Sequence, residues 1–199
     1  MDLLKVKAIL IVSIAVLALL VASPALQRLL VFPQTTSFTE LWLLSSQQSA
    51  QNYPFDIAQN KNYNVTLGVG NNLGNFAYYL VEVKFRNETQ SAADSFKFTP
   101  SSLPSLYNIT VFVANKGIWE QPLIFSFNYN YDNNLSLVNF NDLILNGVTL
   151  NLKGNSASWD SEKSEFVGNL FFELWIYNST IGSFQYNDRF VSLFLNMTV

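Results

Sequence analysis

Alternation with a period of two dominates the chain beyond residue 37. In FAYYLVEVKFR, Ala77, Tyr79, Val81, Val83 and Phe85 fall on one face of an extended strand. Phe76, Tyr78, Leu80, Glu82, Lys84 and Arg86 fall on the other. In YNVTLGV, Tyr63, Val65, Leu67 and Val69 alternate with Asn64, Thr66 and Gly68. In YNITVFVAN, Tyr107, Ile109, Val111 and Val113 alternate with Asn108, Thr110, Phe112 and Ala114. Similar patterns predict strands over 37–45, 121–131, 142–152, 169–177 and 189–198. Turn-rich pieces separate them: NNLGN, TPSSLPS, NKG, DNN, KGNS and YND. No window there sustains a period of 3.6. Many short strands with polar turns predict a mainly antiparallel β-sandwich of immunoglobulin-like type over 38–199, with a closed barrel as the alternative.

The first 32 residues follow another pattern. From Ala8 to Leu26 the chain reads AILIVSIAVLALLVASPAL, 19 residues without a charge. As a helix this run is about 28 Å long, close to the hydrocarbon thickness of a bilayer. It is apolar all round, unlike a helix that packs one face on a soluble core. Lys5 and Lys7 precede it, which places the amino terminus on the cytoplasmic side, and Arg28 just beyond the run weakens that bias slightly. An uncleaved signal anchor is the first expectation. A secretory signal cut after Ala25 is a second, since Ser23 and Ala25 are small residues at suitable offsets. A pilin-type leader at Lys7-Ala8-Ile9-Leu10 is a third. Residues 33–37 form the joint to the outer domain.

Composition narrows the chemistry. The 199 residues include no cysteine and no histidine, and only 13% are charged. Disulfides, thiolate metal sites and imidazole-based catalysis are excluded. The outer part carries 8 basic and 13 acidic residues, so it lacks the Lys/Arg clusters that bind nucleic acid. No cofactor or metal is expected. All 23 asparagines lie beyond residue 32. Six begin an N-x-S/T sequon: Asn64, Asn87, Asn108, Asn134, Asn178 and Asn196. Asn64 and Asn108 fall on polar strand faces, and Asn87 and Asn134 at strand ends or turns, where a glycan can reach solvent.

Other candidates compete with plainer roles. Trp119 and Trp159, in NKGIWEQ and SASWDSEK, look turn-borne and exposed, which would suit ligand stacking if they shared a face. Asp160, Glu162 and Glu165 could serve glycoside hydrolysis only if they converged with an aromatic in a concave pocket. On a hydrophilic loop with Lys163 among them, solvated acids are the expectation. The run Asn128 to Ser136 offers oxygens but lacks the glycine turn and closing glutamate of a calcium loop. In GVGNNLGN, Gly68 to Asn75, the glycines are expected to serve a turn between strands.

Three pieces carry a family resemblance. The first is FTELWLLSSQQSAQNYPFDIAQNKNYNVTLGVGNNLGNFAYYLVEVKFRN, in which Thr39, Glu40, Trp42, Leu43, Leu44, Tyr53, Pro54, Val69, Asn71 and Tyr78 form the pattern. The others are SEFVGNLFFELWIYN (Ser164 to Asn178) and the terminal RFVSLFLNMTV. Together they resemble the outer domain of an uncharacterised archaeal membrane-protein family, domain of unknown function sixteen-sixteen. The resemblance implies an archaeal source, an outward-facing domain and a β-sandwich, and it brings no catalytic residues. Members of that family carry several membrane helices before this domain, whereas this chain offers one.

The combined expectation is a single-pass, N-glycosylated surface protein in the cell membrane, with its carboxyl-terminal domain outside. Its partners would be membrane lipid, other envelope or membrane proteins and N-linked glycans. Its role would be non-enzymatic, as the outer lobe of an envelope or membrane complex. A pilin-like filament subunit, a sugar- or ion-binding receptor and a carboxylate-based glycan-processing enzyme are the alternatives.

Overall fold

The structure, a computed structural model, describes residues 6–7, 9–18, 37–94 and 96–199. Contacts divide the chain into two units, Met1–Thr36 and Ser37–Val199. In the first, residues 6–7 and 9–18 are helical, and the described side chains of this helix are exposed. Among the described residues no helix is long and apolar enough to cross a membrane. The remainder of the apolar run, with Ser23, Pro24, Ala25 and Arg28, and the joint up to residue 36 lie outside the described residues.

The second unit is mainly β. Its strands are β1 (Phe38–Ser45), β2 (Asp56–Ile57), β3 (Tyr63–Asn72), β4 (Ala77–Asn87), β5 (Tyr107–Val113), β6 (Gly117–Asp132), β7 (Leu137–Leu145), β8 (Val148–Asn151), β9 (Ser156–Asp160), β10 (Glu165–Asn178) and β11 (Ser183–Met197). Every pairing is antiparallel except β11 with β2. One half runs β1-β3-β6-β7 with β8 on β7, and the other runs β5-β4-β10-β11-β2. Strand β9 pairs with both β7 and β10, so hydrogen bonds join the halves into one curled sheet. The halves face each other: Phe85 on β4 has its ring 5.5 Å from Phe127 on β6 and 4.7 Å from Phe140 on β7.

The alternation in β4 has the expected consequence. Ala77, Tyr79, Val81, Val83 and Phe85 are all buried, opposite Val65, Leu67 and Val69 of β3 and Leu123, Phe125 and Phe127 of β6 in one cluster. Asn71 ends the inward row of β3 as a fully buried polar residue. Its Nδ2 donates to the carbonyls of Asn75 and Val113, and its Oδ1 accepts from Leu73 N and Tyr79 Oη. A buried amide is tolerated when its bonds are made, and here it ties the β3–β4 turn to β5.

Several expected boundaries move. The stretch 142–152 is two strands, because Asn146 and Gly147 both have positive φ (48° and 82°) and make a tight hairpin. This is the Asn-Gly turn whose twist matches the strands it joins. Strands β2 and β9 are additional, and β6 begins at Gly117, ahead of the expected 121. GVGNNLGN is not a turn throughout. Gly68 and Gly70 lie inside β3, and a Cβ at Gly68 would collide with the indole of Trp42. Their role is to give that ring a flat floor. Only Gly74 takes positive φ, 91°, in the turn itself.

Burial of phenols gives the fold an alkaline limit. Tyr79 and Tyr186 are each pushed up to about 12, in both cases first by burial, with Glu173 and Asp188 adding to the effect on Tyr186. A phenol ionising at 10.0 when unfolded and near 12 when folded adds stability that is complete below pH 10 and lost as pH rises towards 12. Tyrosinate absorbance and far-ultraviolet circular dichroism followed together should show cooperative unfolding in that window. Smooth ionisation of all nine tyrosines near pH 10 with the dichroism unchanged would contradict this.

Candidate functional site

The outer face of β5-β4-β10-β11 gathers the features that core packing does not absorb. It changes character along the strands. At the end where β4 finishes, Arg86 Nε donates to Asn169 Oδ1 at 3.0 Å and Nη1 to the carbonyl of Gln90 at 3.0 Å. The guanidinium lies 5.9 Å from the ring of Phe194. Burial pulls it below its ordinary value, opposed by the nearby Glu88 carboxylate. Arg86, Glu88, Asn169 and Phe194, with Phe55, Lys163 and Glu165, line a cleft of about 410 Å³.

The middle of this face is closed over by the connection between β4 and β5. Lys84 Nζ donates to Glu173 Oε2 at 2.7 Å and to the carbonyl of Ser101 at 3.0 Å. The backbone N–H of Ser101 donates back to Glu173 Oε1 at 2.7 Å. Glu82 adds a second carboxylate 3.0 Å from the ammonium. Lys84 and Glu173 are buried, as is Ser101. The ion pair therefore pins the connection onto the sheet, which explains why Leu170 to Leu174 of β10 are buried on both faces. Next to it, Trp175 and Tyr186 meet edge to face at 5.6 Å. Trp175 Nε1 and Tyr186 Oη are buried there without a hydrogen-bond partner among the described residues.

At the opposite end lies a row of aromatic rings. Tyr78 stacks on Phe112 of β5 at 4.1 Å, and its ring lies 6.0 Å from Tyr177 of β10 and 5.1 Å from Phe184 of β11. Tyr177 and Phe184 meet at 5.5 Å. Phe112 is 72% exposed and the neighbouring Phe76 76%. Phe76, Tyr78, Phe112 and Tyr177 line a depression of about 460 Å³. The sequence did place Phe76 and Tyr78 on the outer face of β4. It did not show that three further strands bring rings beside them.

The expected tryptophan platform does not assemble. Trp119 lies on β6 rather than in a turn, half-buried and packed against the core. Trp159 lies on β9, 46% exposed, with its ring against Phe166 at 4.9 Å. The register places Ser158 beside Leu137 and Leu137 beside Asp132. Trp159 therefore sits roughly 40 Å of strand path from Trp119.

The three acids part company. Asp160 Oδ1 accepts from the backbone N–H groups of Glu162 and Lys163, and its Oδ2 lies 3.0 Å from Lys163 Nζ. Hydrogen bonds from Lys163 hold the Asp160 carboxyl below its ordinary value, and Glu88 and Asp160 together raise that of the lysine. Asp160 is thus occupied in closing the β9–β10 turn, and Glu162 is exposed. Glu165 alone lines the cleft, beside Phe55 and Phe194. Asp132 makes the same kind of turn for Asn134 and Leu135. Among the described residues no cluster could hold a metal ion.

The sequons divide similarly. Asn64, Asn108 and Asn134 are exposed. Asn178 is half-buried at the β10–β11 hairpin, bonded to Gln185. Asn87 Nδ2 donates to the Ser156 carbonyl at 2.8 Å. Asn196 donates to Asp56 at 2.9 Å and accepts from Phe166 N at 3.0 Å, so its amide stitches β2 and β10 to β11.

Comparison with known proteins gives one family. A β-glucosidase from Listeria innocua, in complexes with isofagomine and with glucose, aligns at TM-scores of 0.36 and 0.34 with 8% identity. The alignments cover 81% of this chain and 16% of the glucosidase, so this chain spans about a sixth of that protein's length. Likenesses this weak carry no argument. No curated protein matches the sequence. The model of a domain of unknown function, DUF1616, matches residues 33–155, that is β1 to β8 together with the joint before them. The pieces 164–178 and 189–199 lie beyond the match, and the chain belongs to the DUF1616 family.

Proposed function

We propose that this is a single-pass, membrane-anchored, N-glycosylated cell-surface protein of an archaeal envelope, whose β domain is an immunoglobulin-like sandwich on the outside. Its role is non-enzymatic: the domain serves as the outer lobe of an envelope or membrane complex. The observation that carries this reading is the contrast between the two units. Ile9, Leu10, Ile11, Val12, Ile14 and Leu17 stand exposed around the described helix, and the sequence there carries no charge from residue 8 to 26. Such a helix is stable in lipid and costly in water. The β domain, by contrast, offers sequons at exposed positions.

The test is extraction and mass. The native protein should stay with the membrane in alkaline carbonate and weigh more than its 22.5 kDa polypeptide. Asn64→Gln, Asn108→Gln and Asn134→Gln should each remove one glycan's mass. Asn196→Gln should leave the mass unchanged, because that side chain is engaged between strands. Carbonate release, or a mass equal to the bare polypeptide, defeats the reading.

One observation favours the receptor alternative: the cleft in which Glu165 meets Phe55 and Phe194. Exposed rings beside carboxylate and amide groups suit a small polar ligand such as a sugar. Saccharide titration of the protein and of Phe194→Ala distinguishes that reading, which requires binding lost in the variant.

A further inference from the structure

The aromatic row carries a knob and a hole side by side. The hole is the depression of about 460 Å³ bounded by Tyr78, Phe112 and Tyr177. The knob is Phe76, which stands at its rim rather than filling it and is 76% exposed. The turn that presents Phe76 is tied down. Asn71, fully buried, donates to the carbonyl of Asn75 and accepts from the N–H of Leu73. The N–H of Gly74 donates to Asn115 Oδ1 at 2.9 Å. A ring held this way loses little freedom when a partner covers it.

Charge and area select the partner. None of the residues lining the depression carries a charge, and its polar neighbours are the neutral Asn75 and Ser179. About a two-fold axis, each group near the axis meets its own copy, so a charge there would repel itself. An uncharged surface with knob and hole together suits that symmetry, and it offers a charged partner nothing to pair with. Phe76, Phe112, Ile181 and Tyr177 are 76%, 72%, 54% and 41% exposed, which leaves about 500 Å² of apolar side chain open on each copy. A stable pair covers roughly 800 Å² per partner, polar rim included. Tyr78 and Phe184, both half-buried, and the exposed Asn75 and Ser179 supply the remaining ring and rim surface.

We propose that this face joins two copies of the chain about a two-fold axis, with Phe76 of each copy seated in the depression of the other, against Phe112 and Tyr177. The pairing goes beyond the anchored reading above and requires neither the anchor nor the glycans. Rings meeting across the axis stack offset or edge to face, as Tyr78 already does with its own neighbours.

Sedimentation of the full-length protein in mild detergent, at micromolar concentrations, tests the pairing. The proposal expects a monomer–dimer equilibrium. Phe76→Ala and Phe112→Ala should each weaken it at least about tenfold, with circular dichroism showing the β domain still folded. Leu135→Ala, at a position 69% exposed in the β6–β7 turn at the other end, should leave it unchanged. A parent protein that stays monomeric overturns the proposal. The chain has no cysteine, so a nitroxide at Phe112→Cys would then be unique. In phospholipid nanodiscs, access of oxygen but not of a water-soluble nickel chelate to that label would show lipid on the face instead. A dimer indifferent to both ring variants places the contact elsewhere and overturns the proposal too. Species that keep growing beyond the dimer contradict the two-fold closure. A glycan on Asn178, in the hairpin that carries Ile181, would also overturn it, since the sugar would stand between the copies.

Discussion

Replacing Lys84 by alanine should lower the unfolding free energy by about 3–5 kcal/mol, the usual cost of leaving a buried charge without its partner. Glu173 is fully buried, and its compensation is the Lys84 ammonium at 2.7 Å and the Ser101 N–H. The deletion strands the carboxylate and also unpins the β4–β5 connection, which loses the bond to the Ser101 carbonyl. The double variant Lys84→Met, Glu173→Leu removes both charges at similar volume and should recover most of the loss. Urea titrations of the three proteins in detergent give the comparison. A single variant within about 1 kcal/mol of the parent would mean that the pair behaves like an exposed one.

Phe127→Ala is the second large effect, at about 3–5 kcal/mol for a buried phenylalanine. Its ring lies between the two halves of the curled sheet. It is 5.5 Å from Phe85, 6.0 Å from Phe125 and 6.2 Å from Phe140, and it is fully buried. The cavity would open where the halves grip each other, so the rest of the core can close on it only in part. Phe112→Ala is the matched contrast. That ring also stacks on another, yet it is 72% exposed, and its loss should cost no more than about 1 kcal/mol. A large effect at 112 with a small one at 127 would reverse the assignment of core and contact surface.

The core was the most legible part of the sequence. One side of a half-buried strand repeats every second residue, so the inward row of β4 could be read directly, as could the rows of β3 and β5. Boundaries set by turn chemistry were harder, as the Asn146-Gly147 hairpin inside a continuous apolar pattern shows. The outer face was legible only in halves. Along β4 it passes from Phe76 and Tyr78 to Glu82, Lys84 and Arg86, which marks a change of surroundings but not its cause. The causes lie far away in sequence: Glu173 is 89 residues beyond Lys84, and Phe112 and Tyr177 come from two other strands. Trp119 and Trp159 misled for the same reason. Their neighbours suggest turns, whereas β3 and β10 pair with them as strands. No local pattern encodes such long-range register.

A membrane-impermeant, lysine-reactive reagent applied to intact cells reads the sidedness of the chain. Lys97 is 79% exposed, and Lys61, Lys116 and Lys153 are exposed too, all in the β domain. Lys5 and Lys7 precede the apolar run. Peptide mapping should find Lys61, Lys97, Lys116 and Lys153 modified and Lys5 and Lys7 untouched until the cells are lysed. Modification of Lys5 and Lys7 on intact cells, with Lys61, Lys97, Lys116 and Lys153 protected until lysis, would contradict it.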